Sequence, residues 1–181
     1  MAQSRIQNEV YKMTSNPCGY CVIINIINFD EDDQMERSDS IKSVNLIRET
    51  FNNLNFKVKM FHDLNDIQII SKLNDLMNSE ECDSHECFVL YIHSHGKEDG
   101  FITADGKVFN FHDILNLLTN AKCKKFIGKP KLVFFDCCRG EHYSTDFSDF
   151  DFQKNNFAHP DGALFSDLHI CFSTLNSKTI F

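Results

Sequence analysis

The sequence has 181 residues, of which 42% are hydrophobic and 24% are charged, and its formal net charge is -8. These values are those of an ordinary soluble globular domain, and the acidic balance argues against a nucleic-acid partner because phosphate binding needs a basic surface. No apolar run approaches the roughly 20 residues of a membrane-spanning helix, and the amino terminus has no signal-peptide core. Eight cysteines without a secretory signal favour a reducing compartment, so we expect a cytoplasmic protein (in the host cytoplasm for a viral one).

The first half of the chain alternates predicted strands with predicted helices. Residues 1–19 are expected to form an extended lead-in to a domain at 20–181. Apolar runs rich in β-branched residues predict buried strands at 20–27 and 87–93, and alternation predicts another strand at 56–61. Apolar residues at helical spacing predict helices at 40–54, with Ser40 as the N-cap, and at 66–77.

The second half continues this pattern. Asp105-Gly106 predicts a β-hairpin over residues 100–109, and a short helix is predicted at 111–119. Further strands are predicted at 132–135 and 169–173, on either side of an exposed loop at 141–163. Strands that alternate with helices indicate an α/β fold, a mostly parallel sheet flanked by helices on both faces.

Two of the predicted strands end in turns that carry reactive side chains. One turn is Ser94-His95-Gly96 and the other is Cys137-Cys138-Arg139-Gly140. In such sheets, active sites collect at the carboxyl ends of the strands. A cysteine and a histidine brought together there can carry out acyl transfer, in which the imidazole moves a proton, the thiolate attacks and backbone N–H groups hold the oxyanion.

The sequence Asp136-Cys137-Cys138-Arg139-Gly140, with His95 upstream, resembles the caspase signature Q-A-C-[RQG]-G with a histidine about 50 residues before it. Further matches follow in family order along nearly the whole chain. They are Tyr11-Lys12-Met13, Gly19, Ile23-Ile24-Asn25, Asn28-Phe29, Arg37-Ser38, Phe51, Ser94-His95-Gly96, Gly128-Lys129-Pro130-Lys131 and Ser173-Thr174.

The resemblance implies a caspase-like large-subunit fold and a role for each matching position. Cys138 would be the nucleophile and His95 its general base. The amides of Gly96 and Cys138 would form the oxyanion hole. Arg37 matches the first arginine of the pocket that binds the substrate aspartate.

The main departure from the family pattern is Asp136, which replaces the glutamine that lines this pocket. Residues two apart on a strand face the same way, so Asp136 shares a face with Cys138. Two carboxylates about 4 Å apart at an effective dielectric near 20 repel by roughly 4 kcal/mol. Alternatively, Asp136 pairs with Arg37 and cancels its charge, and its field favours thiol over thiolate at Cys138. Each arrangement disfavours cleavage after aspartate.

Two other departures concern the same pocket. The family's Arg-x-Gly becomes Arg37-Ser38-Asp39, in which Asp39 either adds a carboxylate beside the arginine or faces water. After Ser173-Thr174 the family continues into a segment that carries a second pocket arginine, further subsites and the dimer-forming strand. Residues 175–181 lack that arginine, so the expectation is a cleft without its second half and without the usual homodimer surface.

Two functions remain open on these grounds. The first is a caspase homologue in apoptosis control, catalytically impaired, that binds and inhibits a cellular caspase and that forms homo- or hetero-oligomers through an exposed sheet edge. The second is an active cysteine endopeptidase that uses Cys138 and His95 with altered specificity. The resemblance also implies that an exposed loop such as 141–163 is cut after aspartate and before a small residue, so we expect any processing at Asp161.

Other cysteines and histidines have simpler interpretations. Cys18 and Cys21 have the spacing of metal ligands, but a zinc site needs four convergent ligands and no second pair has that spacing, so we expect no metal and no cofactor. His93, on the same strand face as His95, is interpreted as a pocket wall or as a hydrogen-bonded core histidine. Cys137 faces away from Cys138 and is expected to pack in the core.

Overall fold

A five-stranded parallel sheet organises the part of the chain that the computed structural model describes, which comprises residues 10–30, 36–139 and 166–173. The strands in the described residues are β1 (Gly19–Asn25), β2 (Phe56–His62), β3 (Cys87–His93), β4 (Gly96–Lys97), β5 (Gly100–Ile102), β6 (Val108–Asn110), β7 (Lys131–Asp136) and β8 (Leu168–Phe172). The large sheet has the order β2-β1-β3-β7-β8, and every neighbouring pair in it is parallel.

Helices cover both faces of this sheet, as the alternation of elements predicted. Helix α1 (Ser40–Asn53) packs Val44 against Cys21 and Ile23 on one face. On the other face, α2 (Asp66–Asn78) and α3 (Phe111–Leu117) belong to a larger apolar cluster with the even-numbered residues of β1 and β3. The central strands are therefore buried on both sides, which explains their continuous apolar sequences.

The predicted hairpin and helices are present, with one correction at a helix start. β5 and β6 pair antiparallel around Asp105-Gly106, and β4 extends them to a second, three-stranded sheet. Asp39, not Ser40, occupies the N-cap position of α1. Ser40 is instead buried and its hydroxyl accepts a hydrogen bond from Asn25 Nδ2 (3.0 Å), so a contact with β1 takes precedence over capping.

The parallel arrangement places the ends of β1, β3 and β7 at one edge of the sheet. Asn25 lies beside His93, and His93 lies beside Asp136, in the register of the three strands. The segments that follow these strands therefore form neighbouring turns. Among the helices described, none is long and apolar enough to cross a membrane.

Candidate active site

The turns that follow β3 and β7 are in direct contact. A β-carbon built on Gly96 would stand 2.0 Å from the carbonyl oxygen of Cys138 and 3.0 Å from the β-carbon of Cys137. Only a residue without a side chain fits there, since real β-carbons do not approach heavy atoms to this extent. The structure thus brings the Ser94-His95-Gly96 turn against the cysteine turn, as the sequence predicted from strand order.

His95 is held in place by the strands on either side of its turn. The Ser94 amide donates to the carbonyl of Asp136 (3.3 Å) and its hydroxyl donates to the carbonyl of Ile102 (2.6 Å). The Ile102 amide donates to the carbonyl of His95 (2.8 Å). The half-buried imidazole packs beside Phe29, with ring centroids 5.4 Å apart.

Of the two adjacent cysteines, Cys138 is the accessible one. Cys137 is buried in the larger apolar cluster, as expected, whereas Cys138 is half-buried. Burial, followed by the charge of Asp136, raises the pKa of Cys137 to about 12, so this thiol stays neutral. Of these two thiols, only Cys138 is accessible to a substrate.

Arg37 lies in the segment before α1 and is fixed by backbone contacts at the end of β1. Its amide donates to the carbonyl of Ile27 (2.9 Å), and Nη1 donates to the carbonyl of Ile26 (3.2 Å). Asp63 secures this backbone in turn, because its carboxylate accepts from the amides of Ile27 (2.6 Å) and Asn28 (3.0 Å). The guanidinium is thereby directed towards the ends of β3 and β7.

His93 joins Arg37 to Asp136. Nη2 of Arg37 is 2.8 Å from Nε2 of His93, and Nδ1 of His93 is 2.7 Å from Oδ2 of Asp136. An arginine can only donate, so Nε2 accepts and Nδ1 carries the hydrogen that Asp136 receives. In this arrangement His93 is neutral, and the cation and the anion lie on opposite sides of its ring.

Asp136 has further donors that keep it ionised. Tyr91 donates its hydroxyl to the same Oδ2 (2.6 Å). Burial raises the pKa of Asp136, but the hydrogen bonds from His93, Tyr91 and Ser173 lower it by more, and the net pKa is well below the usual range. Burial, followed by the hydrogen bond to Asp136, raises the pKa of Tyr91. The Asp136 carboxylate is therefore charged at neutral pH.

These contacts show how the Asp136 carboxylate is held. The carboxylate reaches Arg37 through His93, so the pairing that the sequence suggested is indirect among the described residues. The sequence left His93 as either a pocket wall or a hydrogen-bonded core histidine, and in the structure it is hydrogen-bonded on both ring nitrogens. The sequence did not predict that His93 joins Arg37 to Asp136. It also did not predict that Tyr91 donates to Asp136 or that Asp63 holds the backbone near Arg37. The signal available for Tyr91 and His93 was that residues two apart share one face of β3.

The other residues that the sequence singled out lie away from these contacts or outside the described residues. Asp161, the expected processing site, and Gly140 lie outside the described residues. Asp39 is exposed and pairs only with Lys42 (3.3 Å) among the contacts described for it, so its water-facing alternative applies. Within the described ranges, no three His, Cys, Asp or Glu side chains are grouped so that they could hold a metal ion.

The structure is an α/β protein in which a histidine turn and a cysteine turn follow adjacent parallel strands. A family model described as the caspase domain matches residues 18–179, and the chain belongs to the caspase family. It is 28% identical to mouse (Mus musculus) caspase-8 over 156 residues, which cover 82% of this chain and 32% of that protein.

Two other relatives give a similar result. Caspase-3 of Xenopus laevis is 31% identical over 137 residues, 76% of this chain and 48% of the relative. Caspase-2 of Gallus gallus is 32% identical over 139 residues, 75% of this chain and 32% of the relative. The chain thus spans about a third to a half of the length of these curated relatives.

Proposed function

We propose that this caspase homologue is catalytically impaired towards aspartate substrates and that it regulates apoptosis by binding and inhibiting genuine cellular caspases. The observation that carries the proposal is the link from Arg37 through His93 to Asp136. The arginine that matches the family's pocket residue already has an acceptor at its guanidinium. The carboxylate beyond that acceptor repels a second anion.

The energetic consequence can be estimated from the charges. A substrate aspartate has to displace His93 from Arg37 and to approach the ionised Asp136, whose side chain is only 20% exposed. Loss of one charge-assisted hydrogen bond costs about 1.5–3 kcal/mol. Repulsion between the carboxylates adds to this cost, so affinity for an aspartate side chain is lowered by at least about tenfold.

The edge strand β8 supports a role in binding. It ends the five-stranded sheet in the described part of the chain, and its residues are half-buried or exposed. An unpaired edge can add a strand from another chain. A genuine caspase that pairs with this chain would be in a complex in which the pocket of this chain is impaired. In this proposal, the pairing inhibits the caspase. We place this activity in the cytoplasm.

The test uses the full chain and a purified executioner caspase. Fluorogenic peptides with aspartate before the scissile bond are incubated with this protein alone and with the Cys138→Ala variant. Both are then titrated into the active caspase. We expect the unmodified protein alone to hydrolyse the peptides no faster than the Cys138→Ala variant does. We also expect the two proteins to inhibit the caspase equally. Rapid hydrolysis of the aspartate peptide by the protein alone contradicts the proposal.

A second candidate is an active cysteine endopeptidase of altered specificity that uses Cys138 and His95. It is favoured by the contact between Gly96 and Cys138, which keeps the two catalytic turns together. Peptides with a neutral or basic residue before the scissile bond distinguish the candidates. Their hydrolysis, lost in Cys138→Ala together with any effect on the caspase, supports the peptidase.

A further inference from the structure

The imidazole of His93 lies between the two charged groups of the pocket and has a different partner on each ring nitrogen. Its side chain is only 12% exposed. Nε2 accepts from Arg37, and Nδ1 donates to Asp136. Only the neutral ring can make both bonds, because a protonated ring has no acceptor left.

The groups that surround the ring come from its own strand, from the two neighbouring strands and from the segment before α1. On its own strand, Tyr91 stacks beside it with ring centroids 6.3 Å apart, and its raised pKa keeps it neutral. On β7, Asp136 stays charged because its pKa is lowered, and Cys138 follows two residues later. The strand on the other side contributes Asn25, which has no charge. Arg37, from the segment before α1, completes the surroundings.

We propose that His93 is the specificity-determining residue of this pocket, and that the proton on its Nε2 decides whether Arg37 is available to an anionic side chain. With neutral His93, Arg37 is engaged and the net charge of Arg37, His93 and Asp136 is zero. When Nε2 gains a proton, it repels the guanidinium and pairs with Asp136. Arg37 is then released, and the net charge of the three groups becomes +1.

The attraction of this pocket for anions should depend on pH. Acidification favours the protonated imidazole, and the proton adds one positive charge to the pocket. A carboxylate ligand stays ionised from pH 8 to pH 5.5, since carboxyl groups titrate near pH 4. Acidification from pH 8 to pH 5.5 therefore makes the pocket more attractive to anions. The inference rests on the proposed assignment of Arg37 and Asp136 to the substrate pocket.

Cys138 provides a reporter that does not depend on peptidase activity. Iodoacetate and iodoacetamide both alkylate a thiol with loss of iodide, and they differ in one negative charge. The ratio of their rates at Cys138, followed by peptide mass spectrometry, reports the local charge and cancels the reactivity of the thiol itself. We expect this ratio to rise roughly fivefold from pH 8 to pH 5.5.

His93→Gln is the matched variant. The glutamine amide can accept from Arg37 and donate to Asp136, but it does not titrate. The variant retains His95, so any contribution of that ring is common to both proteins. We expect the rise of the ratio to be at least about threefold smaller in His93→Gln. Equal rises in the two proteins overturn the inference.

Asp136→Asn provides a second, independent measurement and keeps the test decisive where His93→Gln does not fold. The asparagine can still accept from His93, but it leaves the charge of Arg37 uncompensated. The net charge of the three groups is then +1 at pH 8 although His93 still engages Arg37, so we expect the ratio to exceed that of the unmodified chain by up to about fivefold and to rise further on acidification. A ratio equal to that of the unmodified chain at both pH values overturns the inference. These results are separate from the proposed function, which fails on hydrolysis of aspartate peptides or on lack of caspase inhibition.

Discussion

Gly96 and Cys138 are in backbone contact, because a β-carbon on Gly96 would stand 2.0 Å from the Cys138 carbonyl oxygen. The two residues come from different turns, one after β3 and one after β7. Their proximity fixes the distance between the histidine turn and the cysteine turn. A side chain at position 96 can be accommodated only by moving one turn away from the other.

Replacement of Gly96 by alanine should therefore disrupt both stability and the site. The new methyl group would meet backbone, which cannot rotate away as a flexible side chain can. We expect the free energy of unfolding to fall by about 3 kcal/mol, measured by urea denaturation. The rate of iodoacetamide alkylation at Cys138 should change as well, because the turn that carries it is displaced.

Gly106→Asn is the control for this substitution. Gly106 has a positive φ of 74°, but no heavy atom lies within 4 Å of its would-be β-carbon. Asparagine tolerates this conformation better than other side chains. The control should cost about 1 kcal/mol or less. A Gly96→Ala variant as stable as Gly106→Asn would show that the two turns are not tightly packed.

Much of the fold could be predicted because its signals are local. The apolar run of β3 and the Asp105-Gly106 turn have sequence patterns that few other structures share. The order of strands then placed His95 and Cys138 at one edge. Ser40 was assigned wrongly because Asp39 and Ser40 can both cap a helix, and the choice depends on Asn25 in another element.

The link between Arg37 and Asp136 could not be predicted for a related reason. It depends on the register of β3 against β7, which sets His93 beside Asp136. Register between distant parallel strands is fixed by packing of whole faces, and no short pattern in the sequence reveals it. The sequence named Arg37 as an alternative partner of Asp136, but it could not identify His93 as the residue that joins them.

Asp63→Ala should loosen the segment that carries Arg37. The Asp63 carboxylate accepts from the amides of Ile27 and Asn28 and from the side chain of Asn28 (2.8 Å). Removal of hydrogen bonds to a charged group typically costs about 1.5–3 kcal/mol each, less where solvent replaces them. We expect a loss of about 2 kcal/mol in urea denaturation, and faster amide hydrogen exchange at Ile27.

Asp39→Ala is the matched control, since Asp39 precedes α1 and its side chain is 96% exposed. Asp39 makes no side-chain capping hydrogen bond, so its loss should lower the free energy of unfolding by less than about 1 kcal/mol and leave hydrogen exchange at Ile27 unchanged. Slow exchange at Ile27 in Asp63→Ala would mean that other contacts hold the backbone near Arg37.

The hydrogen bonds to Asp136 should make stability depend on acid pH. Its folded pKa lies well below the value near 3.9 of an unfolded aspartate. A depressed pKa contributes stability at neutral pH, and this contribution is lost as pH falls below about 4. We therefore expect Asp136→Asn to lose less stability than the unmodified chain between pH 6 and pH 3, measured by urea denaturation.

Tyr91→Phe should give an intermediate result. It removes one donor to Asp136 and leaves the bond from His93 in place. The pKa of Asp136 should then rise towards the usual value, so less stability is lost in acid. Parallel stability curves for all three proteins would contradict the assignment of these donors.

Buried thiols should make the protein sensitive to alkali. Burial raises the pKa of Cys21, Cys87 and Cys137 to about 12 and that of Cys123 to about 11. Unfolded thiols ionise near 8.5. A raised folded pKa contributes stability that is present below the unfolded value and is lost as pH rises between the two values. Each such thiol should therefore steepen the loss of stability above pH 9 by up to about 1.4 kcal/mol per pH unit.

Cys21→Ala tests this dependence with one thiol fewer. Its lost packing lowers stability by a similar amount at every pH, so the informative quantity is the slope. Between pH 6 and pH 8, the urea-denaturation curves of the variant and the unmodified chain, both kept reduced, should run parallel. Above pH 9 the variant should lose stability less steeply. An equal slope in the two proteins would mean that Cys21 ionises as readily in the folded chain as in the unfolded one.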